Sequence, residues 1–241
     1  MALKLLHSPE APPCFNLTCP ARRASPPSAP WAAVWLPRPA AAAFSPYTRR
    51  LDLEADTPFL RQKGIRCATA HTFEAGLWRG PGVLANCVGV RLHDTQGRPL
   101  GYAGRRLDPD KARRFGNWKL PPRLPKRDLL YNAHRALPQA LRGLAVVECP
   151  WGAMRLAQVG LPAVALLGTQ LFEAQRSLLR DAARIVLLLD GDPAGRHAAI
   201  RCADLLSPTV DVHVVDLPDG ADPDDLSDAE LVCRLRPFFP S

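Results

Sequence analysis

Three acidic points hold the residues of this chain that could do chemistry. They are Glu148, the pair Asp190 and Asp192 in LLLDGDPAGR, and the pair Asp222 and Asp224 in LPDGADPDD. Two carboxylates one residue apart repel each other unless a cation stands between them. A hard divalent ion with oxygen ligands, Mg²⁺ or Mn²⁺, is the natural occupant. Taken alone, Asp190-Gly191-Asp192 reads equally well as a strand ending in an Asp-Gly turn, with Asp192 capping the next helix. Asp222 and Asp224 alone read at least as well as a solvated acidic turn. Brought together, the five carboxylates are very unfavourable unless metals or protons neutralise them. A two-metal centre for phosphoryl or nucleotidyl transfer needs such a set, because the ions must be held while they polarise the reacting phosphate. Glu148 stands slightly apart, as a ligand or as a general acid or base.

The elements that would position these groups are legible from periodicity. Ile185 to Leu189 is an unbroken apolar run, as in a strand buried on both faces. Pro193 suits the first turn of a helix that continues over 194–206. Around this unit, strands are expected at 144–148, 163–167 and 210–218, and helices at 152–159 and 172–183. Such alternation predicts a parallel sheet with helices on its faces. All strand ends then lie on one edge, where open α/β sheets bind ligands.

The first half of the chain reads differently. Residues 1–46 are rich in Pro and Ala and are expected to be a disordered leader. A helical pattern is expected from Tyr47 to Lys63, started at Asp56/Thr57 before Pro58, then a short helix over 68–75. Residues 83–107 predict a hairpin around Thr95–Gly97. Residues 110–127 read as a basic loop in which Lys111, Arg113, Arg114, Lys119, Arg123, Lys126 and Arg127 are interleaved with Phe115 and Trp118. A solvated loop and a single-stranded nucleic-acid track both fit that mixture. Helix is expected again over 128–137.

Charge divides the same way. Residues 1–144 hold 23 Lys/Arg against 9 Asp/Glu, and residues 145–241 hold 8 against 14. The balances, +14 and −6, give the +8 of the whole chain. A basic half joined to an acidic half suggests a polyanion held by one and metals by the other. The seven cysteines are scattered and form no Cys-x-x-Cys pair, so reduced thiols in the cytoplasm are expected, with no zinc. A site built from His7, Cys14 and Cys19 would lack a fourth ligand. No apolar run approaches the ~20 residues of a membrane span, and no membrane partner is expected.

The segments VVEC, LLLDGDPAGR and LPDGADPDD, in that order, resemble the Toprim pattern of a Glu motif, an Asp-x-Asp motif and a further acidic group. Within that family the chain resembles the catalytic core of DnaG-type primases. ALLGTQL lies between the acidic motifs, and FLRQKGI, VRLHDTQGRPLGYAGRRLD, FGNWKLPP and KRDLLYNAHRA follow in order in the basic half. The resemblance covers roughly residues 56–226. It implies an α/β Toprim domain over 143–241, a Rossmann-like parallel sheet with helices on both faces. A smaller basic α+β subdomain over 47–142 would precede it. It departs from the family in two places: Cys149 stands where Gly is expected, and Gly152 where Asp is expected. It does not extend to the zinc ribbon or the helicase-binding domain of a full-length primase.

What the resemblance implies for function is a nucleotidyltransferase that makes short RNA primers on single-stranded DNA in replication, with a plasmid, phage or other mobile element as the expected setting. Mg²⁺ or Mn²⁺ would be held by Glu148, Asp190, Asp192, Asp222 and Asp224, with Glu148, Asp190 and Asp192 catalytic. Arg105, Arg113, Arg114, Asn117, Lys119 and Lys126 would contact template or nucleotide. Ribonucleoside triphosphates are the implied substrates. A replicative helicase or a separate zinc-ribbon protein is the implied partner. Two alternatives are a Toprim scaffold that binds nucleic acid without catalysis, suggested by Cys149 and Gly152, and a Toprim nuclease.

Overall fold

A computed structural model describes residues 43–239 of the chain. The expectations for residues 1–42, including the possible zinc ligands His7, Cys14 and Cys19, lie outside the described residues.

The basic half opens with two short helices. Helix α1 (Pro58–Gln62) is capped by Thr57, whose hydroxyl accepts from Leu60 N–H, and Pro58 occupies its first turn. The expected helix over 47–63 is therefore cut to its last third. Residues 51–55 alternate in burial, and Glu54 pairs with Leu77 in an antiparallel bridge. That period of two makes them an edge segment, which the helical reading overlooked. Helix α2 (Cys67–Thr72) then leads into a four-stranded antiparallel sheet, β1 (Ala75–Leu77), β2 (Cys87–His93), β3 (Pro99–Arg106) and β4 (Trp118–Lys119), in that order. The β2–β3 hairpin is the one expected. Between β3 and β4 the basic segment is not all loop: α3 (Pro109–Phe115) forms because Asp108 caps it through Asp110 and Lys111 N–H. It buries none of its residues.

The expected helix over 128–137 shrinks to α4 (Ala133–Ala136), followed by a 3₁₀ turn over Leu137–Arg142. Tyr131 is drawn instead into a bridge with Ala165 at the sheet edge, N–H to O at 2.9 Å and 3.1 Å in the two directions. A backbone pair on a sheet edge outweighs weak local helix propensity there.

From Leu144 strands and helices alternate: β5 (Leu144–Val147), α5 (Pro150–Gln158), β6 (Ala163–Ala165), α6 (Glu173–Leu179), β7 (Arg184–Leu187), α7 (Pro193–Leu206), β8 (Asp211–Val214) and α8 (Asp228–Leu235). The four strands are parallel, in the order β6-β5-β7-β8. Each expected strand is present and shortened at its carboxyl end, and β5, β7 and β8 give way there to the acidic loops.

Successive residues of these strands serve two cores. Ala145, Val147, Val186 and Leu188 face Trp151, Met154 and Leu156 of α5 and Leu231 and Leu235 of α8; the same cluster continues into Val88, Val90 and Leu92 of the hairpin. Leu144, Val146, Ile185 and Leu187 face Leu179 of α6 and Ala198, Cys202 and Leu206 of α7. Helices thus cover both sheet faces, and one apolar core joins the parallel sheet to the basic hairpin. Each Val, Leu, Ile or Met side chain among them contributes about 1.5–3 kcal/mol when fully buried. The shared core fixes where the basic residues stand relative to the strand ends. No helix among the described residues is long and apolar enough to cross a membrane.

Candidate functional site

The acidic residues converge where the topology requires. Glu148 follows β5, Asp190 and Asp192 follow the neighbouring β7, and Asp222 and Asp224 lie in the turn after β8. Glu148 is buried, and its Oε1 accepts from the Asp190 N–H at 3.2 Å. Gly191 N–H donates to Ala221 O at 2.8 Å, and Gly220 N–H to Gly191 O at 3.0 Å, so the two acidic loops are laced together. The two glycines of DGDPAG are needed for this. A Cβ at Gly191 would stand 2.2 Å from Pro218 O, and one at Gly195 would stand 2.1 Å from Asp190 O and 2.8 Å from Glu148 Oε1.

Asp192 does cap α7: its Oδ1 accepts from Gly195 N–H at 2.7 Å. The capping reading and the site reading hold together, because the cap uses one oxygen only. Asp190 carries the strain of the site. Its Oδ1 is buried without a hydrogen-bond partner. Burial first, then the charges of Glu148, Asp222, Asp224 and Asp192, push its carboxyl up to about 8. Glu148 and Asp222 are also raised, both chiefly by burial. A cation beside these three groups would favour their charged forms.

The donors fit a hard divalent ion. They are carboxylate oxygens, and two of them, Asp190 Oδ1 and Asp224 Oδ2, are buried without a hydrogen-bond partner, the second facing the Lys63 ammonium. Among the described residues no three His, Cys, Asp or Glu side chains form a ready ligand cage. An open set of carboxylates is the kind on which Mg²⁺ keeps several waters and takes substrate phosphates as further ligands.

The downstream acids are partly neutralised from within. Lys63, at the C-terminus of α1, bonds the buried Asp224 carboxylate and lies 3.9 Å from both Asp222 and Asp225. The Cys149 thiol donates to Asp224 Oδ1 at 3.9 Å, and burial pushes that thiol up to about 12, so it stays protonated. Cys149 is half-buried and Cys202 buried, whereas Cys233 is exposed on α8. Arg196 pairs with Asp219.

The basic residues divide into those near the site and those farther out. Arg105 Nη1 is buried without a partner. Burial draws this guanidinium below its usual range, while Cys149, Asp224 and Asp222 oppose the shift. It also lines a groove of about 550 Å³ with Phe59, Arg106, Arg113 and Asn117. Lys126 stands over Gly168, its Nζ 3.0 Å from where a Cβ there would be. Gly168 in turn lines a cleft of about 190 Å³ with Trp118, Leu120, Glu148, Cys149 and Asp190. Lys119 is turned away, donating to Val83 O at 2.5 Å. Arg113 pairs with Asp110, and Arg114 lies 5.0 Å over the exposed Phe115 ring.

Sequence reasoning missed Lys63 and Arg155. The first lies in FLRQKGI, just before the Gly64 that ends α1, and nothing local marks it as facing acids 160 residues away. Arg155 is buried in α5, where it donates to Gly64 O at 2.8 Å and to Leu226 O and Asp228. A lone Arg in an otherwise uncharged helix was the available signal.

Residues 145–227 match the family model described as Toprim-like. The DNA primase of Staphylococcus epidermidis is 32% identical over 179 residues, covering 69% of this chain and 29% of that protein. The chain thus spans under a third of that relative's length. The solved zinc-binding and RNA polymerase domains of the Aquifex aeolicus primase superpose with a TM-score of 0.62 at 26% identity, covering 75% of this chain and 54% of that one. A solved DnaG catalytic core gives a TM-score of 0.61 at 26% identity, with 74% and 71% covered. The chain contains a DnaG-type primase core. In this primase core the Toprim-like segment carries all five candidate carboxylates, and the likeness to solved cores extends over the basic sheet before it.

Proposed function

We propose that the chain is a metal-dependent primase-type nucleotidyltransferase that makes short oligoribonucleotides on a single-stranded DNA template. The observation that carries this is the juxtaposition of an unsatisfied carboxylate cluster, centred on Asp190, with a groove lined by Arg105, Arg106, Arg113 and Asn117. The cluster suits a divalent ion, and the groove suits the phosphates of a template or nucleotide.

In this reading Asp190, Asp192 and Glu148 hold Mg²⁺ or Mn²⁺, with Asp222 and Asp224 completing the acidic edge. The ion supplies charge neutralisation and Lewis acidity at the reacting phosphate. Glu148, held by the Asp190 N–H, orients the Asp190 loop. Arg105, in the groove, and Lys126, beside Gly168 of the cleft, bind the triphosphate and the template backbone. Trp118 gives the cleft an apolar wall that shields the reacting groups from water. A primer 3′-hydroxyl attacks the α-phosphate of the incoming ribonucleotide, and pyrophosphate leaves. A helicase or a separate zinc-ribbon protein would direct the core to its template. Arg113 and Arg114 on α3 extend the template path, and Lys119 joins it by leaving the Val83 carbonyl.

A second reading has an observation of its own. The Cys149 thiol and Lys63 together engage Asp224, and Gly152 stands where the family carries Asp, which suits a scaffold that binds nucleic acid without catalysis. Labelled-primer synthesis separates the two, with Asp190→Asn as the control. Template-dependent product that the substitution abolishes supports catalysis. DNA binding without product, indifferent to Mg²⁺ and to Asp190→Asn, supports the binding scaffold.

A further inference from the structure

Lys63 is the unusual member of the acidic edge. Its ammonium stands among three carboxylates, bonded to Asp224 and 3.9 Å from Asp222 and Asp225, so it lies where a cation belongs. The Asp224 side chain is 1% exposed and the Lys63 side chain 23%. This is a partly buried pair rather than a surface pair screened by water, and such pairs are held more tightly.

Two features keep the ammonium in place. Lys63 ends α1, with its N–H bonded to Phe59 O. The next residue, Gly64, is pinned by its carbonyl to Arg155 Nη1 at 2.8 Å and Gln158 Nε2 at 3.0 Å. Arg155 also bonds Leu226 O and Asp228 just beyond the acidic turn. One buried guanidinium thus ties the Lys63 corner and the Asp222–Asp225 turn to the same helix.

The two ends of the acidic cluster are therefore unequal. At Asp224, Oδ1 takes the Cys149 thiol and Oδ2, without a directed hydrogen bond, lies in ion-pair contact with the ammonium. At Asp190 a buried oxygen has no partner. We infer that Lys63 is a resident cation of the cluster: it holds the place beside Asp222 and Asp224, so that a divalent ion fills the Asp190–Glu148 place first and enters the second only by displacing the ammonium. A lysine suits the role, being a compact charge on a flexible stem that can swing away. The inference rests on the acidic cluster being the metal site. It adds a regulator of how many ions that site holds.

Mn²⁺ binding to the full chain, followed by the electron paramagnetic resonance of free Mn²⁺, tests this without reference to activity. Wild type is expected to bind one Mn²⁺ tightly and a second weakly. Lys63→Met is expected to tighten the second at least about tenfold, since a neighbouring positive charge is removed. Lys63→Arg should keep the wild-type pattern. Second-site affinity that is unchanged or weaker in Lys63→Met would overturn the inference. Should Lys63→Met not fold, acetylation of Lys63 in wild type, read by mass spectrometry, decides instead. Labelling should stay low while the first Mn²⁺ binds and rise as the second does; labelling flat to saturation overturns the inference. Asp190→Asn separates the two levels. Absence of Mn²⁺ binding in wild type contradicts the metal site itself. Binding that needs Asp190 but ignores Lys63 contradicts only the role of Lys63.

Discussion

Asp190 concentrates the chemistry of the site in one side chain. Burial and four neighbouring carboxylates make its charged form expensive, and nothing in the protein satisfies its Oδ1. A neutral isostere should leave the fold intact and remove only the affinity for a cation. Asp190→Asn is therefore expected to melt within about 3 °C of wild type without metal, or above it, because no favourable partner is lost. Wild type should gain stability on adding Mg²⁺ or Mn²⁺, through preferential binding to the folded state, and Asp190→Asn should gain little. Thermal melts over a metal titration check both statements. A variant that melts far below wild type without metal would make Asp190 a structural residue. At this scale the five carboxylates were visible in advance as types and spacings, whereas Arg105 was singled out only by the resemblance. The internal partners of Asp224 were not, because Lys63 and Cys149 reach it through the fold.

At the scale of elements, the site depends on how closely α7 enters between two strand ends. Gly195 permits that approach, since a methyl group there would meet Asp190 O and Glu148 Oε1. Gly195→Ala should destabilise the protein by about 1–3 kcal/mol through overpacking, and should depress synthesis by displacing Glu148. Urea denaturation alongside the synthesis assay measures both. A second joint lies between β2 and α4, where the His93 and His134 rings stand 4.6 Å apart, beside Glu74, Arg91 and Arg135. Burial and the neighbouring Arg135 hold His134 down to about 4, and burial lowers His93 as well. Both pKa values are depressed on folding, so the unfolded chain binds protons first as pH falls. Stability from this joint is complete above the unfolded value near 6.5 and is lost between about 6.5 and 4. Melting temperature against pH should fall across that window in wild type and more shallowly in His134→Gln; parallel curves would contradict it. The parallel strands were legible because their apolar runs are continuous, and the hairpin because Gly97 punctuates it. The segments at 47–57 and 128–131 were misread as helix because sheet-edge pairing, with Leu77 and Ala165, decides them from a distance. Helix α3 was missed although Asp108-Pro109 announces it, since the density of Lys and Arg suggested loop.

Across the whole molecule, charge and fold divide the labour. The basic sheet and the acidic strand ends share one apolar core, so a polyanion bound on the first is presented to the second. Single-stranded DNA affinity should fall steeply with salt, and each phosphate contact removed should flatten the logarithmic slope by about 0.7. Arg113→Ala, on exposed α3, is expected to lose about that much with no change in melting temperature. Fluorescence anisotropy between low and physiological salt reads it, and an unchanged slope would take α3 off the template path. The central claim concerns what happens at the junction of the two halves. It is tested most directly by de novo synthesis of labelled oligoribonucleotides on single-stranded DNA with Mg²⁺ or Mn²⁺, comparing wild type with Asp190→Asn. Metal-dependent, template-dependent product that disappears in Asp190→Asn is the result expected. Folded, DNA-binding wild-type protein that yields no product with either ion, or product that survives Asp190→Asn, would contradict it.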